Sequence, residues 1–340
     1  MKPTIVIVNY NGGNYLIQAI RSVIYTKALE KANLVVVDNG SGDASLEYLK
    51  TGFWKERGIK DKYAPHTCEG RYGYGPKEVV LSCKCKVRTP DDDLIPGEMN
   101  QTVVLNETIF SRPVDDEWGR PVCSFEFLNE NYGYERGANF GALVSGMLWP
   151  NSDLILMGSD AELLQGTLDG FNRTLELHPK IGIVCGKLLV KVGDRYLVNA
   201  GGFTNEMGHE HITGMDEAPG TWHDFKEQEW VTFSCTYIKR ELFETAGHMD
   251  MTFHIYCGDN DLCRRARQLG WAVVYSPIAA ALHYDGRTVS KVKKRTLPSV
   301  WGAWQTHEMG YFSHKWQNEI VPFPILPEDV FKEANTWAGR

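Results

Sequence analysis

Two uninterrupted aliphatic runs near the start of the chain, Thr4 to Tyr10 and Leu34 to Asp38, most constrain what it can fold into. Neither alternates apolar with polar residues, so neither suits a strand with one face in water; such runs belong in a parallel sheet covered by helices on both faces. Between them, from about Gly13 to Lys27, the residues Leu16, Ala19, Ile20, Val23 and Ile24 recur at helical spacing. The start of the chain is therefore a βαβ unit. A second helix is expected after Asn39-Gly40-Ser41-Gly42-Asp43, with Ser41 or Asp43 as its cap.

From about Phe53 to Pro121 the texture changes to proline, glycine, an acidic Asp91-Asp92-Asp93 and two strand-like runs without helical period. A bare loop of that length does not fit a compact domain, so a β-rich insertion over 56–121 is expected. Strand and helix then alternate again: a strand near Ser124 to Glu130, a helix Gly137 to Trp149, a strand Leu154 to Met157, a helix Leu163 to Leu177 and a strand Ile181 to Val190. Residues 191–230 are glycine-rich and carry no clear period. A strand from Trp230 to Lys239, a helix from about Arg240, a helix over Gly258 to Gly270 and a strand Trp271 to Pro277 complete the pattern. The expected organisation is an α/β domain over 1–55 and 122–290, and a C-terminal helical extension over 291–340.

The chain has 340 residues, 43% of them hydrophobic and 23% charged, enough to bury a full core, and its net charge of −7 argues against a surface coated for non-specific nucleic-acid binding. Ile5 to Val8 is too short for the apolar core of a secretory leader. The apolar run Trp271 to Leu282 is interrupted by Ser276 and Pro277 and falls short of the roughly 20 residues that span a bilayer. A cytoplasmic location with reduced thiols is expected, Cys185 and Cys235 being small buried hydrophobes within strands.

In open parallel sheets ligands bind beyond the carboxyl ends of the strands, and polar residues gather at three such ends: Asn9-Tyr10-Asn11, Asp38-Asn39-Gly40 and Gly158-Ser159-Asp160. Asp38 can either accept from a base or ribose or cap its own turn. No GxGxxG or GxxxxGK[ST] run is present to cradle phosphates, so a bound nucleotide needs a divalent cation; Asp160 suits Mg2+ or Mn2+, with His283 either a further ligand or a structural histidine. Asp259 and Asp261 open a helix, whose dipole stabilises ionised carboxylates, and one of them can serve as a general base as well as a cap.

These segments, in this order, resemble family 2 glycosyltransferases of the GT-A fold, in particular the rhamnosyltransferase-like branch: IVIVNYNGGNYLIQAIRSV, VVVDNGSGDAS, NENYGYERGANFGAL, LILMGSDAEL, the long stretch from WVTFSCTYIK to GWAVVYSP, and ALHYDG. The resemblance implies a Rossmann-like, mostly parallel sheet and the use of a nucleoside-diphosphate sugar such as a UDP or dTDP sugar. It implies that Val8, Asn9, Tyr10 and Asp38 hold the nucleoside. The turn from Gly133 to Asn139 would lie along the nucleotide sugar, with Arg136 at the diphosphate and Ser159 beside it. Asp160 would be the last residue of a DxD metal motif whose first position is here Gly158, so weak metal affinity without donor is expected. Asp259 matches the base that deprotonates the acceptor hydroxyl in an inverting transfer, while Gly258 stands where the family has Glu; Asp261 would pair with Arg265 one turn on.

The insertion holds His66, Cys68, Cys83 and Cys85 as two x-separated pairs with fourteen residues between Cys68 and Cys83, either a structural Zn2+ site or free thiols in a hairpin. His209 and His211 would share a face of a strand. The basic run Lys291 to Arg295 and the tryptophans beyond it either approach the acceptor or pack a helical cap. The acceptor is open among a glycan, a lipid-linked saccharide, a protein and a modified nucleic acid. A nucleotide-sugar-binding protein with lost or altered catalysis and a sugar-nucleotide nucleotidyltransferase are the competing readings, although the latter resemblance calls for a basic Gly-rich N-terminal loop that Asn9-Tyr10-Asn11-Gly12-Gly13 lacks.

Overall fold

In the computed structural model, the described residues are 1–52, 77–86, 98–107, 114–115, 121–192, 195–204, 210–212, 223–284, 298–317 and 319–336. The first βαβ unit forms as its pattern requires: β1 (Thr4–Asn9), α1 (Asn14–Tyr25) and β2 (Asn33–Asn39), both strands buried at every position. Next comes the short α2 (Ala44–Glu47), with Asp43 as its cap, the carboxylate accepting from Ser45 N at 3.0 Å. Then follow β3 (Lys77–Lys86), β4 (Glu98–Glu107), β5 (Val114–Asp115), β6 (Pro121–Leu128), α3 (Tyr134–Leu148), β7 (Leu154–Gly158), β8 (Ala161–Leu163) and α4 (Thr167–Glu176). The strands β9 (Ile181–Val192), β10 (Arg195–Asn199), β11 (Gly202–Thr204), β12 (Glu210–Ile212), β13 (Lys226–Glu227) and β14 (Cys235–Ile238) occupy the stretch without a clear period. The chain continues with α5 (Arg240–Thr245), α6 (Gly258–Gln268), β15 (Ala272–His283), α7 (Pro298–Trp316) and α8 (Glu328–Asn335).

Among the described residues the main sheet runs β13-β15-β9-β14-β7-β1-β2-β6-β4-β3. Its centre, β7-β1-β2-β6, is parallel. The chain steps outward from β1 through β2 to β6 and then returns to the other side of β1 as β7, which makes the β1/β7 boundary a topological switch point. Both faces of the centre are covered: Val6 and Val8 pack under Gly141 and Gly137 of α3, while Ile5 and Ile7, which alternation turns to the opposite face, are equally buried. The β3–β4 hairpin continues this sheet through the Glu107–Leu128 pairing.

Among the expected strands, β15 and β14 differ most from the sequence expectation. β15 runs on through Pro277 to His283, because its ladder with β9 breaks between Ser276 and Ala280, where the missing proline N–H needs no partner, and then resumes. β14 is confined to Cys235–Ile238 because it must fit, antiparallel, between β7 and β9. No helix among the described residues is long and apolar enough to cross a membrane. Cys185 and Cys235 are buried thiols as expected, and burial pushes Cys185 up to about 12. His66, Cys68 and His209 lie outside the described residues; Cys83 and Cys85 stand opposite Gln101 and Met99 in the β3–β4 register, and His211 opposite Phe203 in a small β11–β12 ladder. Lys291 to Arg295 also lie outside the described residues.

Candidate functional site

The polar strand ends meet where the sheet topology brings them together. Register places Val8 beside Gly158 and Asn9 beside Asp38. Asn9 is fully buried, and its Nδ2 lies 2.7 Å from Asp38 Oδ2 and 3.0 Å from both Ser41 Oγ and Ser45 Oγ. Asp38, 1% exposed, accepts from Ser41 N at 2.9 Å. Burial pushes its carboxyl up, and the hydrogen bonds from Ser41 N and Asn9 pull it back only in part. The two side chains thus tie the ends of β1 and β2 to each other. Tyr10 remains part-exposed at the end of β1, whereas the Val8 side chain faces α3.

The turn leading into α3 is fastened to β2. Asn39 Nδ2 donates to Asn131 Oδ1 at 3.0 Å and to Gly133 O at 2.9 Å, and its Oδ1 accepts from Tyr132 N at 3.0 Å. Gly133 has φ 91, a left-handed backbone, and a Cβ there would lie 2.7 Å from His254 Nδ1 and 2.8 Å from His254 O, so only glycine fits. Arg136 donates to Tyr132 O at 3.0 Å while its buried Nε has no partner. Asn139 spends its amide on Met249, donating to the carbonyl and accepting from the N–H, each at 2.9 Å; it clasps α3 to the segment before α6.

Across the switch point, Asp160 and His283 are set side by side by backbone pairing. Ala161 of β8 pairs with His283 of β15, and Tyr284 N donates to Asp160 O at 2.9 Å, leaving His283 Nε2 3.5 Å from Asp160 Oδ1. Carboxylate and imidazole together are suitable donors for a divalent cation. Among the described residues no group of three His, Cys, Asp or Glu side chains could enclose a metal, so an ion here needs oxygens from water or a ligand to complete its shell. Ser159 is buried next to the Gly12 loop, 3.3 Å from where a Cβ on Gly12 would stand. A Cβ at Gly158 would lie 3.0 Å from Asp160 Oδ1, so the bare position leaves the carboxylate its room.

α6 begins after Cys257, whose φ of 65 is unusual for a residue with a side chain. Its two first-turn acids have different surroundings. Asp261 is wholly buried and accepts from Arg265 Nε at 2.8 Å, the Arg265 pairing expected from the sequence, and from Trp316 Nε1 at 2.9 Å, with Lys315 Nζ 2.7 Å away. Asp259 stays part-exposed, its Oδ1 accepting from Asn260 N at 2.8 Å.

Tyr134 joins the two sides of the site. Its hydroxyl donates to Phe233 O at 3.1 Å; burial pushes the phenol above its ordinary range, and the negative charges of Asp259 and Asp160 push the same way. Sequence reasoning set the turn Gly133 to Asn139 along the donor without singling out Tyr134 or Glu135, and it missed Asp250, His254, Glu308 and Lys315. Glu135 carried one signal: it is the only acid in α3.

No family model matches the chain. Over 187 residues, 53% of the chain, it is 24% identical to the uncharacterized protein y4gI of Sinorhizobium fredii. Over 62 residues, 18% of the chain, it is 32% identical to an N-acetylglucosaminyl-diphospho-decaprenol L-rhamnosyltransferase of Mycobacterium tuberculosis. Each match spans 20% of the relative's length. Two solved structures align over most of the chain at 14% identity. One is GalNAc-T7 with UDP, GalNAc and Mn2+, at a TM-score of 0.53 over 84% of this chain and 44% of that one. The other is a mannosyltransferase from Pyrobaculum calidifontis in complex with GDP-Man and Mn2+, at 0.50 over 99% and 72%. The chain therefore has the GT-A fold expected from its motifs: a mixed, mostly parallel sheet with helices, shared with these glycosyltransferases.

Proposed function

We propose that the chain is an inverting glycosyltransferase that moves a sugar from a nucleoside-diphosphate sugar to an acceptor hydroxyl. The observation that carries this reading is the gathering of Asp160, Asp259 and Glu135 around Tyr134 at the carboxyl ends of strands beside the β1/β7 switch point. The donor class is drawn from the two structural neighbours, which hold UDP with GalNAc and GDP-Man. Tyr10, Arg136 and Ser159 line the donor side, while Asn9, Asp38 and Asn139 keep its loops in place.

Asp259 accepts the proton of the acceptor hydroxyl as that oxygen attacks the anomeric carbon from the face opposite the diphosphate. The bond from that carbon to the diphosphate oxygen breaks, the nucleoside diphosphate leaves with the electron pair, and the configuration inverts. Bound at Asp160 and His283, Mn2+ or Mg2+ would neutralise charge on the leaving diphosphate. With two protein ligands, affinity for the metal alone is weak. The buried thiols Cys185, Cys235 and Cys263 suit a reducing compartment such as the cytosol.

The test is Asp259→Asn, which keeps size and hydrogen bonding but removes the base. Transfer from a panel of UDP, GDP and dTDP sugars is expected to be lost, with nucleoside-diphosphate binding in Mn2+ retained within about threefold, a change under about 1 kcal/mol. Normal transfer by this variant would remove Asp259 from the base role.

A further inference from the structure

Glu135 has no part in the steps above, yet its surroundings are more constrained than those of Asp259. It stands in the first turn of α3, is 1% exposed, and its Oε2 has no hydrogen-bond partner. The charged groups that face it are acids from three other parts of the fold: Asp259 of α6, Glu308 of α7 and Asp250 between α5 and α6; Tyr134 precedes it on its own helix. The cations on that side are engaged elsewhere, Lys315 with Asp250 and Asp261, and Arg265 with Asp261. Arg136, next in sequence, donates to Tyr132 O. A buried carboxylate among acids and without a cation is costly, and burial first, then those acids, push its carboxyl well above the usual range.

Its stem and second oxygen fill space that α6 leaves open. A Cβ on Gly258 would stand 2.8 Å from Glu135 Cγ and 2.9 Å from Cδ, with Oε1 closer still. Because Glu135 is enclosed, it has nowhere to withdraw. The residue immediately before Asp259 therefore carries no side chain, and a carboxyl reaching across from α3 occupies the vacancy.

We propose that Glu135 is a positioning residue for Asp259: as a neutral carboxylic acid it supplies, from α3, the group for which Gly258 makes room, and it holds the first turn of α6 while Asp259 receives the acceptor proton. This rests on the assignment of Asp259 as base. The proton of Glu135 stays on Glu135 throughout; being uncharged, it adds no second negative charge beside the one that Asp259 must carry before the attack.

Two experiments on the full chain test it. The first needs no substrate: melting temperatures of Gly258→Ala, Glu135→Ala and the double variant. Gly258→Ala alone is expected to melt lower because its Cβ meets Glu135, and the double variant to melt higher than the sum of the single changes predicts; additive changes would overturn the proposed packing. The second measures Mn2+-supported hydrolysis of UDP, GDP and dTDP sugars, with water as acceptor, for Asp259→Asn, Glu135→Gln, Glu135→Ala and Glu135→Ala/Gly258→Glu. Glu135→Ala is expected to lower kcat by roughly 10–100-fold with donor KM unchanged and with a displaced pH profile. Glu135→Gln should keep most of the rate, and the double variant, which moves the carboxyl onto α6, should regain much of it. Wild-type kcat and pH profile in Glu135→Ala, or a Glu135→Gln as slow as Glu135→Ala, would overturn the role of the neutral acid while Asp259→Asn is inactive. An active Asp259→Asn would instead overturn the base assignment beneath it.

Discussion

Asn9 sits where two strands end, and its amide decides what the neighbouring carboxylate can do. Asp38 is buried and has been pushed up by burial, so its stability depends on donors, of which Asn9 Nδ2 at 2.7 Å and Ser41 N at 2.9 Å are two. Asn9→Ala removes one donor and leaves the carboxyl short of a partner, at a cost of about 1–3 kcal/mol. A melting temperature several degrees lower is expected, and a shift of less than a degree would mean that water replaces the amide without loss. That polar residues end β1 and β2 was legible in the sequence, as was a helix cap at Ser41 or Asp43, of which Asp43 takes the role, because both follow from local pattern. That Asn9 and Asp38 point at each other was not, since it depends on the parallel register between strands separated by a helix.

At the scale of elements, α7 is the part of the fold that local pattern described least. Its aromatic residues read as a packing helix, and Phe312 and Trp316 do pack, with the Arg264 guanidinium over both rings. The lysine between aromatic neighbours gave no sign of its role. Lys315 Nζ lies 2.6 Å from Asp250 Oδ2 and 2.7 Å from Asp261 Oδ1, and all three side chains are buried. Burial pushes the Asp250 carboxyl up; the Lys315 ammonium outweighs it and brings the group down to about 2. Lys315→Met keeps the stem and deletes the charge, leaving Asp250 without its cation in the interior. Removing one partner of a buried pair costs about 3–5 kcal/mol, so urea unfolding should show a loss of that order at neutral pH. The depressed carboxyl contributes stability present above its unfolded value near 4 and lost as pH falls toward 2. The difference between wild type and Lys315→Met should therefore shrink below pH 4, and a difference independent of pH would show that lost packing, not charge, explains it.

For the molecule as a whole, the parallel centre of the sheet was legible because doubly buried strands leave continuous aliphatic runs, whereas the antiparallel β14 between β7 and β9, and the acids that the topology collects around α6, join segments too distant in sequence for any local period to report. That collection has a global consequence. Glu135, Asp38 and Glu227 are all raised, by burial first, and Glu135 well above the usual carboxyl range. A carboxyl raised on folding stabilises the folded state fully below its unfolded value, near 4.5 for Glu, and loses that contribution as pH rises through the folded value, because the folded state then holds a proton that the unfolded chain has released. His254 is lowered by burial and acts oppositely, but only up to about pH 6.5, above which the unfolded histidine is also neutral. From about pH 6.5 to 7.5, above the unfolded histidine and below the thiols that burial also raises, Glu135 then contributes a fall in stability with rising pH for as long as its proton is retained. Urea unfolding over that range should show wild-type stability falling, and Glu135→Gln, which has no proton to lose, should be markedly flatter. Parallel slopes for the two proteins would mean that Glu135 is ionised in the folded state, and that the acids around Tyr134 are balanced by a cation or by water and not by a proton.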